Sequence, residues 1–150
     1  MKAVVQRVKH ASVTVNGVRI SEIQQGVLVL LGVAENDTNE DVLWLTKKIA
    51  NLRIFNDENG VMNNSLISID GEAIVVSQFT LQASTKKGNR PSYINAAKPE
   101  TAIPMYELFV KQFETEIGKK VQTGEFGADM KVELLNDGPV TIILDTENKI

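Results

Sequence analysis

Residues 27–33, VLVLLGV, are apolar on both faces of an extended chain. Side chains alternate across a strand, so this run has no side fit for water and must be covered above and below. It belongs at the centre of a sheet with a packed layer on each face. Extended to Ala34 and interrupted by Gly32, it is still far shorter than the ~20 residues of a membrane-spanning helix. A chain of 150 residues, 43% of them apolar, suits one domain that removes roughly 70% of its extended surface from water. No repeat, low-complexity tract or Pro/Gly-rich linker divides it, and residues 1–150 read as a single domain.

Local patterning supplies the other elements. Residues 2–9 alternate and read as a strand. Ser12–Val15 and Val18–Ile23 flank Asn16-Gly17, which tolerates the positive φ of a type I′ turn, so they read as a hairpin. Thr38 caps a helix with Glu40 and Asp41 in its first turn. Val42, Leu45, Ile49 and Leu52 form its apolar stripe, with Lys47 and Lys48 on the exposed side. Residues 72–81 read as a second strand. Residues 82–98 follow neither periodicity, and an irregular stretch of that length is often functional. A second helix begins near Pro99 and Pro104, both expected in its first turn, where a missing N–H costs little. Tyr106, Phe109, Phe113 and Ile117 form its stripe and Gly118 its stop. Met130–Leu135 and Val140–Leu144 read as two closing strands around residues 136–139. The sum is an α+β fold: an antiparallel-rich sheet curled towards a barrel, with two main helices packed on it.

Composition narrows the chemistry. Without cysteine there are no disulfides, thiolate nucleophiles or Cys-ligated zinc. His10 is the one histidine, so a Ser-His-Asp triad would have to use it as base, and the plainer reading is an exposed histidine. Asp57-Glu58-Asn59-Gly60 resembles part of a calcium loop, but Gly60 is misplaced and no terminal Glu follows. Neither a metal nor a cofactor is expected. The opening MKAVVQRVKHASV carries Arg7, Lys9 and His10 and lacks the apolar stretch of about 7–15 residues of a secretory signal. A cytoplasmic protein with no membrane partner is expected. Sixteen Lys and Arg against 19 Asp and Glu give a net charge of −3, which argues against broad coating of nucleic acid but leaves room for a local basic site.

Three segments carry candidate chemistry. Ser77-Gln78-Phe79-Thr80-Leu81 ends a buried strand. If it stays extended, Ser77, Phe79 and Leu81 share one face and Gln78 and Thr80 the other. Its hydroxyls and N–H groups could hold an oxyanion, or it is an ordinary strand end. Gly138-Pro139-Val140-Thr141 is either a hairpin loop or a device built on a cis bond. Lys86, Lys87 and Arg90 could grip phosphates, with Tyr93 stacking on a base, or they belong to a solvated loop.

Taken together, MKAVVQRVKHASVTV at the start, SQFTL at 77–81 and NDGPVT at 136–141 closely resemble the D-aminoacyl-tRNA deacylases of the D-Tyr-tRNA deacylase type, over essentially the whole chain. The resemblance implies hydrolysis of the ester that joins a D-amino acid, or glycine, to the terminal adenosine of tRNA. It implies a homodimer with the site at the subunit interface. Ser77, Gln78, Phe79 and Thr80 would surround the scissile ester. Gly138-Pro139, with a cis bond, would reach into the partner's site and reject L-amino acids. Arg7 and Met130 would support the pocket, and Lys86, Lys87 and Arg90 would contact tRNA. Two other readings stay open: a binding module that kept the fold without the activity, and a deacylase for a different mischarged tRNA. Catalysis would draw on the RNA's own ribose hydroxyl, with Thr80 as a covalent nucleophile the alternative.

Overall fold

The computed structural model describes all 150 residues. A long first strand, β1 (Lys2–Val15), organises the sheet. Along one of its edges lie β2 (Val18–Ile23) and β3 (Gly26–Gly32), both antiparallel to it, and along the other runs β8 (Met130–Asp145). Beyond β3 come β6 (Glu72–Ser77) and β7 (Gln122–Thr123), each joined in parallel. The sheet is therefore mixed, although the longest pairings are antiparallel. A small hairpin of β4 (Phe55–Asn56) and β5 (Met62–Asn64) stands apart. Two helices, α1 (Asn39–Asn51) and α2 (Pro99–Ile117), pack on one face. Neither is long and apolar enough to cross a membrane.

The two-faced run at 27–33 is explained by two cores. Val27, Val29 and Leu31 point to the layer shared with Val42, Leu45 and Ile49 of α1 and Phe109 and Phe113 of α2. Leu28 points to the opposite layer, with Val8, Val13 and Ile23 inside the curled sheet. β6 divides in the same way, Ala73 and Val75 to the helices, Ile74 and Val76 to the interior. Tyr106 of α2 is buried, and its hydroxyl donates to the Val75 carbonyl at 2.7 Å. Burial pushes this phenol up to about 12. Tyr106→Phe is expected to cost about 1–2 kcal/mol by orphaning that carbonyl. Because the folded-state value lies above the ordinary 10.0, the tyrosine favours the folded state fully below the ordinary value. That contribution fades as pH climbs towards 12. Denaturant midpoints of the two proteins should therefore converge through this alkaline window.

Four expectations are corrected. The strand at 2–9 and the first arm of the hairpin form one strand, β1, because a bulge absorbs the break: Arg7 and Val8 are both buried, Lys9 and His10 both exposed. Residues 130–145 do not fold back as a hairpin but continue along β1 as β8. The stretch 72–81 leaves the sheet after Ser77 and coils into a 3₁₀ turn at Phe79–Gln82, so Ser77, Phe79 and Leu81 do not line one strand face. Pro104 lies inside α2 rather than in its first turn. Its side chain is exposed, and the bond it forgoes is to Glu100, itself exposed near the helix start, where water can serve the freed carbonyl. Thr38 stands at the N-cap of α1 as expected, with Asp41 Oδ2 accepting from its N–H at 2.8 Å and from its hydroxyl at 3.0 Å, and Gly118 ends α2 in the left-handed region.

Candidate active site

β6 is buried over Ala73–Val76 and delivers Ser77, half-buried, to its end. The Gln78 N–H still reaches the sheet, donating to the Leu31 carbonyl at 2.7 Å. The chain then turns, with Leu81 N–H on the Gln78 carbonyl at 3.2 Å and Ala83 N–H on that of Thr80 at 3.1 Å. Buried Gln82 fastens the turn to β3 through the Gly32 carbonyl at 2.9 Å. Gly32 has to be glycine: a Cβ there would meet Leu81 Cβ at 2.9 Å and the Gln78 oxygen at 3.0 Å. The first N–H groups of such a turn have no partner inside it, which leaves them for a ligand.

Ser77, Gln78 and Phe79 edge a mostly apolar cavity of about 220 Å³. Val76, Ala97, Ala102, Phe126 and Met130 form much of the rest of its wall. Met130 is thus brought to the expected segment. Phe79 is 56% exposed at the mouth and packs edge-on against Tyr93, ring centres 5.0 Å apart. Thr80 holds a specific bond, its hydroxyl accepting from the Gln78 side-chain amide at 2.5 Å. No carboxylate or imidazole hydrogen-bonds to that hydroxyl. His10 lines a separate depression with Arg19 and Glu22. No three His, Asp or Glu side chains are grouped as a metal would require.

Lys86, Lys87 and Arg90 lie exposed in a tongue pinched at its base by paired backbone bonds between Ser84 and Ser92 of 2.8 and 2.9 Å. They do not line the cavity. Tyr93, just past that base, places the tongue beside Phe79.

Gly138-Pro139 is a second feature. Asn136 pairs with Val8 and Thr141 with Gln6, so residues 137–140 stand opposite Arg7 alone and bulge out of the ladder. Both Gly138 and Pro139 are exposed, and the bond between them is cis. Arg7, only 6% exposed, braces the bulge. Its Nε donates to the Asp137 carbonyl at 3.0 Å and its Nη1 to the Ile54 carbonyl at 2.7 Å. The Asn136 amide ties the bulge from within, donating to the Arg7 and Val140 carbonyls, each at 3.0 Å. Within one chain Gly138 and Pro139 are not part of the cavity wall at Ser77–Phe79. Arg7 therefore belongs to the bulge and Met130 to the cavity.

Sequence reasoning missed Ala97, Ala102 and Phe126. The signal available was a small residue in the first turn of a helix and an aromatic between Gly124 and Gly127, both unassigned by periodicity.

Comparison with known proteins adds an independent line. A family model described as D-Tyr-tRNA(Tyr) deacylase matches residues 4–145. Proteins named D-aminoacyl-tRNA deacylase from Bacteroides fragilis and Flavobacterium johnsoniae are 64% and 65% identical over 149 residues, covering 99% of this chain and 99% of each relative. A solved structure titled c-Myc DNA Unwinding Element Binding Protein superimposes with a TM-score of 0.92 at 44% identity, over 97% of this chain and 99% of that one. A second, titled as a probable eukaryotic D-amino acid tRNA deacylase, gives 0.82 at 16% identity over 95% and 97%, and shares the fold.

Proposed function

The chain belongs to the D-Tyr-tRNA(Tyr) deacylase family, and from that premise we propose that it hydrolyses the ester of D-aminoacyl-tRNA and of glycyl-tRNA, releasing the amino acid and free tRNA. The observation that carries this reading is the relatedness of the whole chain, both distinctive segments included. The cytoplasm, where tRNA is charged, is its place of work.

The geometry supports a division of labour. Terminal adenosine is common to every substrate, so a cavity of fixed, apolar shape suits its base, with Phe79 at the mouth. The side chain varies between substrates and is best left pointing to open space. The free N–H groups at the start of the Phe79–Gln82 turn would stabilise negative charge developing on the carbonyl oxygen of the ester. The ribose hydroxyl next to the ester would activate water or polarise the carbonyl. Thr80 as a covalent nucleophile is the weaker mechanism, because its hydroxyl already accepts from Gln78 and has no base to take its proton.

Chirality is judged by exclusion. D and L forms exchange the positions of hydrogen and side chain at the α-carbon. A wall where the L side chain must go rejects all L residues, whereas glycine, with nothing to clash, passes. In this reading Gly138-Pro139 is that wall, and its stiffness comes from the Arg7 and Asn136 clamps. It would act in the cavity of a second copy. Three features support a homodimer: the bulge faces solvent, β8 pairs on one edge only, and Leu135 and Ile143 are exposed along it. An unpaired edge of that length is otherwise a liability.

The deciding experiment incubates the protein with tRNA charged with D- or L-amino acid and measures free amino acid. Release from the D and glycyl esters, with L esters intact, is expected. A panel containing L-alanyl-tRNA tests for a looser editing enzyme. Absence of release from any ester would favour a binding module, a reading prompted by the relative named for a DNA element. Replacing Lys86, Lys87 and Arg90 together by glutamine is expected to raise KM and flatten its log–log salt dependence by about 2, at roughly 0.7 per contact with single-stranded RNA. An unchanged slope would remove the tongue from the interface.

A further inference from the structure

Away from the cleft, the outer face of α1 concentrates positive charge in a chain that is acidic overall. Trp44, Lys47, Lys48 and Asn51 recur at i, i+3, i+4 and i+7 and so share one side of the helix, opposite the buried stripe of Val42, Leu45 and Ile49. Together with Leu52 and Arg53 they line an open groove of about 440 Å³. From Val42 to Asn56 the chain contains no acid. A fourth cation arrives from the far end of the sequence: the Lys149 ammonium sits 4.8 Å from the Trp44 ring centre, and that of Lys48 sits 5.6 Å from it.

How these cations are held matters. A lysine paired with a carboxylate has spent its charge locally. A lysine held over an indole face is positioned without being neutralised. None of Lys47, Lys48, Arg53 or Lys149 takes part in an ion pair. Arg53 is fixed through Nε to the Asn63 carbonyl at 3.1 Å, while its terminal nitrogens take no protein acceptor. Glu147, the acid nearest Lys149 in sequence, faces a different depression beside Lys2.

We propose that this groove binds the phosphate backbone of the tRNA body, as a second contact zone separate from the cleft that takes its 3′ end. The proposal rests on the hydrolase reading above for its choice of polyanion. Reach is adequate. Asp41, at the start of α1, shares a depression with Gln82 of the 3₁₀ turn. Lys48 lies about 10 Å further along the helix at 1.5 Å per residue. Complementarity with phosphate favours RNA over a protein partner, since three unpaired cations lining the groove and a fourth over its Trp44 would leave most apolar contacts unmade. Backbone binding would also be indifferent to sequence, as an enzyme serving many tRNAs requires.

The test compares the wild-type protein with the triple variant Lys47→Glu, Lys48→Glu, Arg53→Glu. Uncharged full-length tRNA is expected to bind at least about tenfold more weakly to the variant, with a log–log salt slope shallower by about 2–3, at roughly 0.9 per duplex phosphate contact. KM for full-length D-aminoacyl-tRNA should rise in step while kcat holds. Hydrolysis of a 3′-D-aminoacyl-adenosine, which has no arm to reach the groove, should match wild type. Unchanged tRNA affinity and slope would overturn the proposal, as would an equal loss on both substrates. So would unaltered tRNA binding with loss of wild-type binding to anionic phosphatidylserine vesicles, which would make the groove a membrane contact. The Gln triple variant serves if the reversal unfolds the protein, with the same slope change expected. Should wild type cleave no D-aminoacyl ester while the variant still loses tRNA affinity, the groove stands and the hydrolase reading falls.

Discussion

Substrate ending in 2′-deoxyadenosine is expected to be cleaved about 10²–10⁴-fold more slowly than its ribose counterpart, the range of a well-placed proton-transfer group. Thr80→Ala, by contrast, is expected to keep the rate within about tenfold of wild type. The contrast follows from what surrounds Thr80 in the Phe79–Gln82 turn. Thr80 is engaged by Gln78, and no imidazole or carboxylate bonds to its hydroxyl. A hydroxyl without a base is a poor nucleophile, whereas the main-chain N–H groups of the turn survive the substitution. Single-turnover rates on the two substrates and the two proteins decide the matter. Normal cleavage of the deoxy substrate would exclude RNA assistance. A loss beyond ~10³-fold in Thr80→Ala would restore the nucleophile.

The second large effect concerns Arg7. In Arg7→Lys, hydrolysis of L-aminoacyl-tRNA is expected to appear, lowering the D/L ratio by about 10–100-fold, the equivalent of one or two lost charge-assisted hydrogen bonds. The guanidinium spans two carbonyls in different segments, Asp137 in the bulge and Ile54 before β4. A lysine replaces the separated Nε and Nη1 with a single nitrogen, which cannot take up both positions. The bulge would then give way when an L side chain presses on it. Arg7→Ala is a blunter probe, since leaving the two carbonyls unpaired costs about 1–3 kcal/mol each and threatens the fold. Gly138→Ala attacks the same place from the other side. Its Cβ would lie 2.9 Å from Val140 Cγ2 and 3.0 Å from Arg7 Nη2, at a φ of 128° that L residues rarely adopt. Both variants should be read as D/L ratios beside thermal midpoints. A lowered midpoint with intact discrimination would leave Arg7 a purely structural role.

Some of this was legible from residues alone and some was not, for identifiable reasons. Periodicity placed α1 and α2 because each buries a single stripe, with Thr38 marking the start of α1 and Gly118 the end of α2. It placed the central strand because a run apolar on both faces has one kind of home. It failed at Ser77, where strand ends and turn begins, because Gln82 and Gly32 settle that point through a contact 50 positions apart. It failed at residues 136–139 for a similar reason. Asp137-Gly138 has the local chemistry of a hairpin turn, but β1 is long enough to pair with both flanks, and the turn residues become a bulge on a strand that continues.

The sequence by itself determined the α+β class, the two helices with their buried faces, and, through SQFTL and NDGPVT, the family. Each of these depends on neighbours within a few positions or on a motif read as letters. Tertiary structure decided what those motifs can do. It coiled 79–82 into a turn beside a cavity, brought Met130 and Phe126 to that cavity's wall, and set Arg7 under a protruding Gly138-Pro139. It also gathered Lys149, next to last in the chain, with Trp44 and Lys48 of α1. Register and close approach between distant strands produce those arrangements, and no local pattern encodes them.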